Sequence, residues 1–187
     1  MRVVAGKFGS RALKGPRGQA MRPTSDRLRE TLFNILGAAV EGSVFVDAYA
    51  GTGAVGIEAL SRGAKRAVLI EKHRAAVALI RKNLSMLGIE QDAEVLPTDV
   101  VKGLAWLANE GTQADFIFLD PPYGDMAEYG KVLEFLGESP LLARGGRVIV
   151  EHERRRKLEE KSGKLVRVRA IEQGDAVLSI YQWSDLA

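Results

Sequence analysis

The chain has 187 residues, 46% of them hydrophobic and 27% charged, with a formal net charge of +3. That is enough chain for one domain with a substantial core. The absence of cysteine excludes disulfides and thiolate metal sites, the two distant histidines (His73 and His152) argue against zinc, and no apolar run reaches the ~18 residues of a membrane span. No apolar leader segment opens the sequence, so no secretory signal is expected, and a cytoplasmic protein fits this composition.

Charge is unevenly spread. Residues 1–31 hold eight cations (Arg2, Lys7, Arg11, Lys14, Arg17, Arg22, Arg27 and Arg29) against Asp26 and Glu30. Such a skew is the electrostatic footprint of a polyanion-binding surface, or else a solvated face. Within residues 1–20, two short β-prone pieces are broken by glycines and Pro16, which predicts a small hairpin and a loop. Thr24 or Ser25 can cap a following helix, with Asp26 at its positive end and Leu28, Leu32, Ile35, Leu36 and Ala39 on one apolar stripe.

From residue 43 strands and helices alternate. Val44-Phe45-Val46 predicts a strand, followed by a glycine turn and a helix to about Arg62. Strands over 67–70 and 93–96 flank a helix that Gly88 ends. A helix over 100–108, a strand over 115–119, a helix over 126–137 and a strand from Arg147 to Val150 follow. This rhythm predicts a parallel sheet with right-handed crossovers. Residues 164–183 instead alternate polar and apolar around Gln173-Gly174-Asp175, which predicts an antiparallel hairpin. The charge-rich link from Glu151 to Lys161 reads as a solvated loop or helix. Trp106 and Trp183 read as part-core residues.

Two stretches carry chemistry. The first runs from Asp47 through Ala50 to Gly56. Gly51, Gly53 and Gly56 fit G-x-G-x-x-G between a strand and a helix, and Glu71 ends the second strand 20 residues after Gly51. Asp47 alters the meaning of the pattern. A carboxylate there repels a pyrophosphate but attracts the ammonium of an amino-acid cofactor such as S-adenosylmethionine. Glu71 can accept ribose hydroxyls. Asp99 is placed either to accept from an adenine amine or to cap the next helix.

The second stretch is Asp120-Pro121-Pro122-Tyr123, directly after the apolar run Phe116-Ile117-Phe118-Leu119. A buried parallel strand delivers its last residue to the ligand-binding edge of an open α/β sheet. The two prolines stiffen the turn and aim the Pro121 carbonyl. A carboxylate, a fixed carbonyl and an aromatic ring suit a planar group with an exocyclic –NH2.

Asp47-x-x-x-Gly51-x-Gly53 followed by Asp120-Pro121-Pro122-Tyr123 resembles class I S-adenosylmethionine-dependent methyltransferases that modify exocyclic or amide nitrogens. Three blocks carry a closer resemblance: Arg2 to Gly6, Arg22 to Asn34, and Ala50 to Gly63. They are similar to the RsmD family, the bacterial 16S ribosomal RNA guanine-N2 methyltransferases. The resemblance spans residues 2 to about 182, and its specific part is the Arg22–Asn34 block.

The resemblance implies a Rossmann-like α/β fold: a seven-stranded, mostly parallel sheet ending in an antiparallel hairpin. It implies a β-hairpin extension over residues 1–20 and a methyltransferase domain over 21–187. Cofactor contacts would fall on Thr24, Asp47, Ala50, Gly51, Gly53, Glu71, Asp99 and Asp120. Asp120, Pro121 and Tyr123 would act on the target base, and Arg2, Lys7, Arg11 and Arg22 on RNA backbone. The implied partner is 16S ribosomal RNA or the small ribosomal subunit, and a monomer without metal or membrane contact is expected.

Alternatives are methylation of adenine N6 or of a protein glutamine amide, where such enzymes often carry Asn in place of Asp120. Another is an RNA-binding module without turnover, against which the intact Asp47, Glu71 and Asp120 count.

Overall fold

The computed structural model describes residues 1–15, 25–122 and 126–184. Two compact units divide the chain, Met1–Asp99 and Val100–Ala187.

The first unit is built on three parallel strands, β1 (Val44–Asp47), β2 (Arg66–Ile70) and β3 (Ala93–Leu96), with β2 between the others. All four residues of β1 are buried, as a parallel strand covered on both faces requires. Helices α2 (Ala54–Ser61) and α3 (Arg74–Leu87) make the crossovers, and Gly88 caps α3 in the left-handed conformation. Ahead of β1 lies α1 (Asp26–Leu36). Ser25 caps it, its Oγ accepting from the Leu28 N–H at 3.1 Å. The buried face of α1 is Leu28, Arg29, Leu32, Phe33 and Leu36. Phe33 stacks on Phe45 of β1 with ring centroids 5.8 Å apart. Of the other residues expected on this stripe, Ile35 is half-buried at its margin, and Ala39 is exposed because the helix ends at Leu36 and turns into a short 3-10 helix, Gly37–Val40.

Every residue of α2 is buried, including Glu58 and Ser61. The amino-terminal segment supplies its outer cover. Glu58 accepts backbone N–H bonds from Val4 (2.7 Å) and Ala5 (3.0 Å), and Ser61 Oγ accepts from Phe8 at 3.0 Å and donates to the Ala5 carbonyl at 2.6 Å. Gly6 lies at φ +80°, and a Cβ there would stand 2.0 Å from the Ser61 carbonyl oxygen. Only glycine can pass this close. The expected hairpin takes the form of an isolated antiparallel bridge, Arg2 to Ala12. Its backbone is otherwise satisfied largely by α2, so the extension is packed as part of the first unit.

The second unit opens with α4 (Val100–Asn109), then β4 (Ala114–Leu119), α5 (Met126–Glu138) and β5 (Leu142–Glu153). β4 and β5 are parallel, with Leu119 level with Val150. The remaining strands are antiparallel: β8 (Ala176–Trp183) on β5, β7 (Leu165–Gln173) on β8, and the two-residue β6 (Lys161–Ser162) on β7. The terminal hairpin therefore stands where the alternation of residues 164–183 placed it, with β6 as a short addition at its edge.

The charged link differs from its expectation. β5 continues through Glu153, and Glu151 and His152 are buried in it. The cations that follow are paired locally: Arg155 and Arg156 with Glu153, and Arg154 with Glu172 at 2.9 Å. Hydrogen bonding from Arg155 holds the Glu153 carboxyl below its ordinary value. Trp106 is 43% exposed on α4 rather than part of the core.

Candidate functional site

Three carboxylates follow three neighbouring parallel strands of the first unit. Asp47 is the last residue of β1, Glu71 follows Ile70 at the end of β2, and Asp99 lies three residues past Leu96 of β3. The carboxyl edge of a parallel sheet is where such folds bind ligands.

The glycine turn is strung between the first two. Asp47 is 1% exposed, and its Oδ2 accepts from the Gly56 N–H at 3.0 Å. Glu71 is almost as buried; its Oε2 accepts from the Gly51 N–H at 3.0 Å and its Oε1 from the His73 N–H at 2.8 Å. Ala50 donates its N–H to the Ile70 carbonyl at 3.0 Å, which ties the turn to the end of β2. Gly53 caps α2 at φ +79°. A Cβ on Gly56 would come within 3.0 Å of Leu69, so this glycine allows α2 to lie close on the sheet.

Gly51 differs from these. Its φ is +53°, and among the described residues a Cβ there would meet only the Tyr49 carbonyl oxygen, at 3.9 Å. The turn leaves room on that side for a ligand to approach the backbone. The donor set fits S-adenosylmethionine. A carboxylate at the end of β1 suits an ammonium, and each Glu71 oxygen keeps a lone pair for a hydroxyl after taking one N–H. Asp99 directly precedes α4, the helix-capping position that was its alternative.

In the second unit, Asp120 follows β4 and is half-buried, Pro121 is buried and Pro122 exposed. The adjacent strand is held at its carboxyl end by Tyr129 of α5, whose hydroxyl donates to the Glu151 carbonyl at 3.2 Å. Tyr123, Thr24 and Arg22 lie outside the described residues.

Of the basic residues, Arg2, Lys7, Arg11 and Lys14 are exposed. Arg2 faces Asp26 at 3.6 Å, and the Lys7 ammonium sits 5.3 Å from the Phe8 ring centroid. Arg29 is 0% exposed; it donates to the Arg2 carbonyl at 2.6 Å and to Asp26 at 2.8 Å. It therefore holds the arm to α1 and presents no charge to solvent.

Sequence reasoning missed Glu58, Ser61 and Asn83, which fasten the arm. The signals were present. Glu58 is the one acid in an otherwise small and apolar helix, and Asn83 interrupts the apolar spacing of Ala76, Ile80, Leu84 and Leu87.

The model of the family described as "Conserved hypothetical protein 95" matches residues 1–182. The chain belongs to this family, the RsmD family. It is 34% identical over 182 residues to YlbH of Bacillus subtilis, a candidate rRNA methyltransferase, with 97% of this chain and 98% of that protein covered. It is 40% identical over 123 residues to ribosomal RNA small subunit methyltransferase D of Escherichia coli, covering 66% of this chain and 60% of that protein.

Among solved structures, the Escherichia coli protein yhhF superposes with a TM-score of 0.84 at 29% identity, over 98% of both chains. An RNA methyltransferase of Salinibacter ruber, solved with S-adenosyl-L-homocysteine, shares the fold at a TM-score of 0.68 and 19% identity, over 89% of this chain and 96% of that one. The fold of this RsmD-family chain is thus that of class I S-adenosylmethionine-dependent methyltransferases. Among the described residues, no group of three or more His, Cys, Asp or Glu is placed to hold a metal ion, and no helix is long and apolar enough to cross a membrane.

Proposed function

We propose that this protein is an S-adenosylmethionine-dependent methyltransferase of small-subunit ribosomal RNA, acting on the exocyclic N2 of a guanine. One observation carries the reading: Glu71 and Asp47, at the ends of adjacent parallel strands, grip the glycine stretch on either side, Glu71 at the Gly51 N–H of the turn and Asp47 at the Gly56 N–H in the first turn of α2. A turn flanked by two carboxylates suits a cationic amino-acid nucleoside, and repels the pyrophosphate that the glycine pattern alone would suggest. The family relationship over residues 1–182 supports the ribosomal RNA substrate.

The first unit holds the cofactor through Asp47, Ala50, Gly51, Gly53, Glu71 and Asp99, with Thr24 as a further contact. When bound, the cofactor supplies a methyl carbon activated by its sulfonium. The guanine amine is a weak nucleophile, because its lone pair is delocalised into the ring. Asp120 and the Pro121 carbonyl each accept one of its N–H bonds. That favours the pyramidal nitrogen, whose lone pair is then free to attack. Asp120 also faces the positive charge that grows on this nitrogen, a fixed electrostatic stabilisation, and the nitrogen becomes neutral again by releasing one of its two protons to solvent once it carries the methyl group. Tyr123 stacks on the base that has left its helix. Arg2, Lys7, Arg11 and Arg22 hold RNA backbone. We read the enzyme as monomeric and cytoplasmic, working without metal.

Methyl-labelled S-adenosylmethionine offered with small-subunit RNA, and separately with assembled small subunits, tests the reading. Digestion to nucleosides is expected to return the label as N2-methylguanosine. Label in N6-methyladenosine or in protein would overturn the guanine assignment, and no transfer to either substrate would overturn the enzyme.

A further inference from the structure

Asn83 joins two parts of the first unit that the proposed function uses separately. It lies on α3, 0% exposed. Its Oδ1 accepts the Lys14 N–H at 2.8 Å, and its Nδ2 donates to the Lys14 carbonyl at 3.1 Å. The same Nδ2 donates to the carbonyl of Thr52 at 3.0 Å, and Thr52 lies between Gly51 and Gly53. One buried amide thus reads the basic arm through both backbone groups of Lys14, and the glycine turn through Thr52. A second link runs in parallel, from the Thr52 hydroxyl to the Met1 sulfur at 3.5 Å.

We propose that Asn83 is a positioning residue that couples the arm to the cofactor turn, so that RNA and cofactor each tighten binding of the other. This rests on the reading that the arm binds RNA and the turn binds cofactor. The physical reason is the cost of a buried amide without partners. The bridge is complete only when Lys14 is docked on one side and the turn is set on the other. Ordering either end fixes the Asn83 side chain and so reduces what ordering the other end costs. The linkage is reciprocal by thermodynamic necessity.

The test measures S-adenosylhomocysteine affinity by calorimetry in the absence and presence of saturating small-subunit RNA, in the parent chain, Asn83→Ala and Asn83→Asp. In the parent, RNA is expected to tighten the ligand by on the order of 5-fold or more, the usual range for coupled sites. Asn83→Ala is expected to bring that factor to about 1, since the buried amide bridge is gone and only the long Thr52–Met1 contact is left. Asn83→Asp keeps the acceptor for the Lys14 N–H but loses both donated bonds, including the one to Thr52, and is likewise expected to bring the factor to about 1. Equal coupling in all three folded proteins overturns the proposal.

Hydrogen exchange on the parent chain needs no variant, and covers the case in which neither folds. S-adenosylhomocysteine alone is expected to slow exchange of the Lys14 amide, and unchanged exchange with the ligand bound overturns the coupling. Failure of the ligand or of RNA to bind at all would instead overturn the functional reading beneath it.

Discussion

The Gly51 N–H donates to Glu71 Oε2 at 3.0 Å, joining residues 20 positions apart in the chain. The bond fixes the opening of the glycine turn to the end of β2. Glu71 thus shapes the turn, and under the proposed function it also accepts from the cofactor's ribose. Glu71→Ala is expected to weaken S-adenosylhomocysteine binding by about 1.5–3 kcal/mol, the range for hydrogen bonds to charged groups. Glu71→Gln keeps one acceptor and is expected to lose less. Calorimetric titration measures both, and unchanged affinity in folded Glu71→Ala would remove this residue from the site.

Asp120 and Tyr123 are expected to fail differently. Asp120→Ala should lower the single-turnover rate of methyl transfer by on the order of 10²–10³, with much smaller effects on cofactor or RNA affinity. Asp120→Asn, which keeps an acceptor but not the charge, should be intermediate. Tyr123→Ala should cost about 1–3 kcal/mol of base stacking, and Tyr123→Phe should retain most activity. A folded, cofactor-binding Asp120→Ala that works at the parent rate would defeat the assignment. Equal inactivity of the Phe and Ala variants at Tyr123 would show that the hydroxyl matters more than the ring face.

Arg2, Lys7 and Arg11 are exposed on an arm fastened through its backbone by Glu58 and Ser61. Changing all three to Ala should therefore leave the arm in place. RNA affinity should fall, and the slope of log affinity against log salt should flatten by roughly 0.7–0.9 for each phosphate that is no longer neutralised. Cofactor affinity without RNA should not change. A salt slope equal to the parent's would make these side chains structural only.

His152 gives the second unit a pH-dependent stability. It is 4% exposed, and Nδ1 donates to the Glu153 carbonyl at 3.0 Å, which places the proton of the neutral ring on Nδ1. Nε2 meets Ser179 Oγ at 2.9 Å. Burial lowers its pKa from the ordinary value of 6.5. Below 6.5 the unfolded chain takes up a proton that the folded chain resists. Stability is therefore complete above that value and falls as the pH drops toward the folded pKa. Urea midpoints followed from about pH 7.5 to about pH 5 should decline more steeply in the parent than in His152→Asn. Parallel curves would assign the decline to other groups.

Sequence alone carried a great deal here, for local reasons. Strand and helix order follows from apolar periodicity, and the glycine turn from the spacing of Gly51, Gly53 and Gly56. Asp47 and Glu71 were legible because a parallel strand delivers its final residue to the sheet edge, wherever the rest of the chain goes. Other features depended on partners distant in sequence. Arg29 reads as one more surface cation until α1 is seen to bury it against Asp26 and the Arg2 carbonyl. Glu151 and His152 read as a solvated link, because their polar side chains and the charge run after them mask the strand pairing with Leu178 and Val177 that buries them. Glu58, Ser61 and Asn83 satisfy backbone groups 53 to 69 residues away, and the local pattern that sets Glu58 and Asn83 apart does not name the partner. A buried backbone N–H must find an acceptor, but only the tertiary structure decides which one.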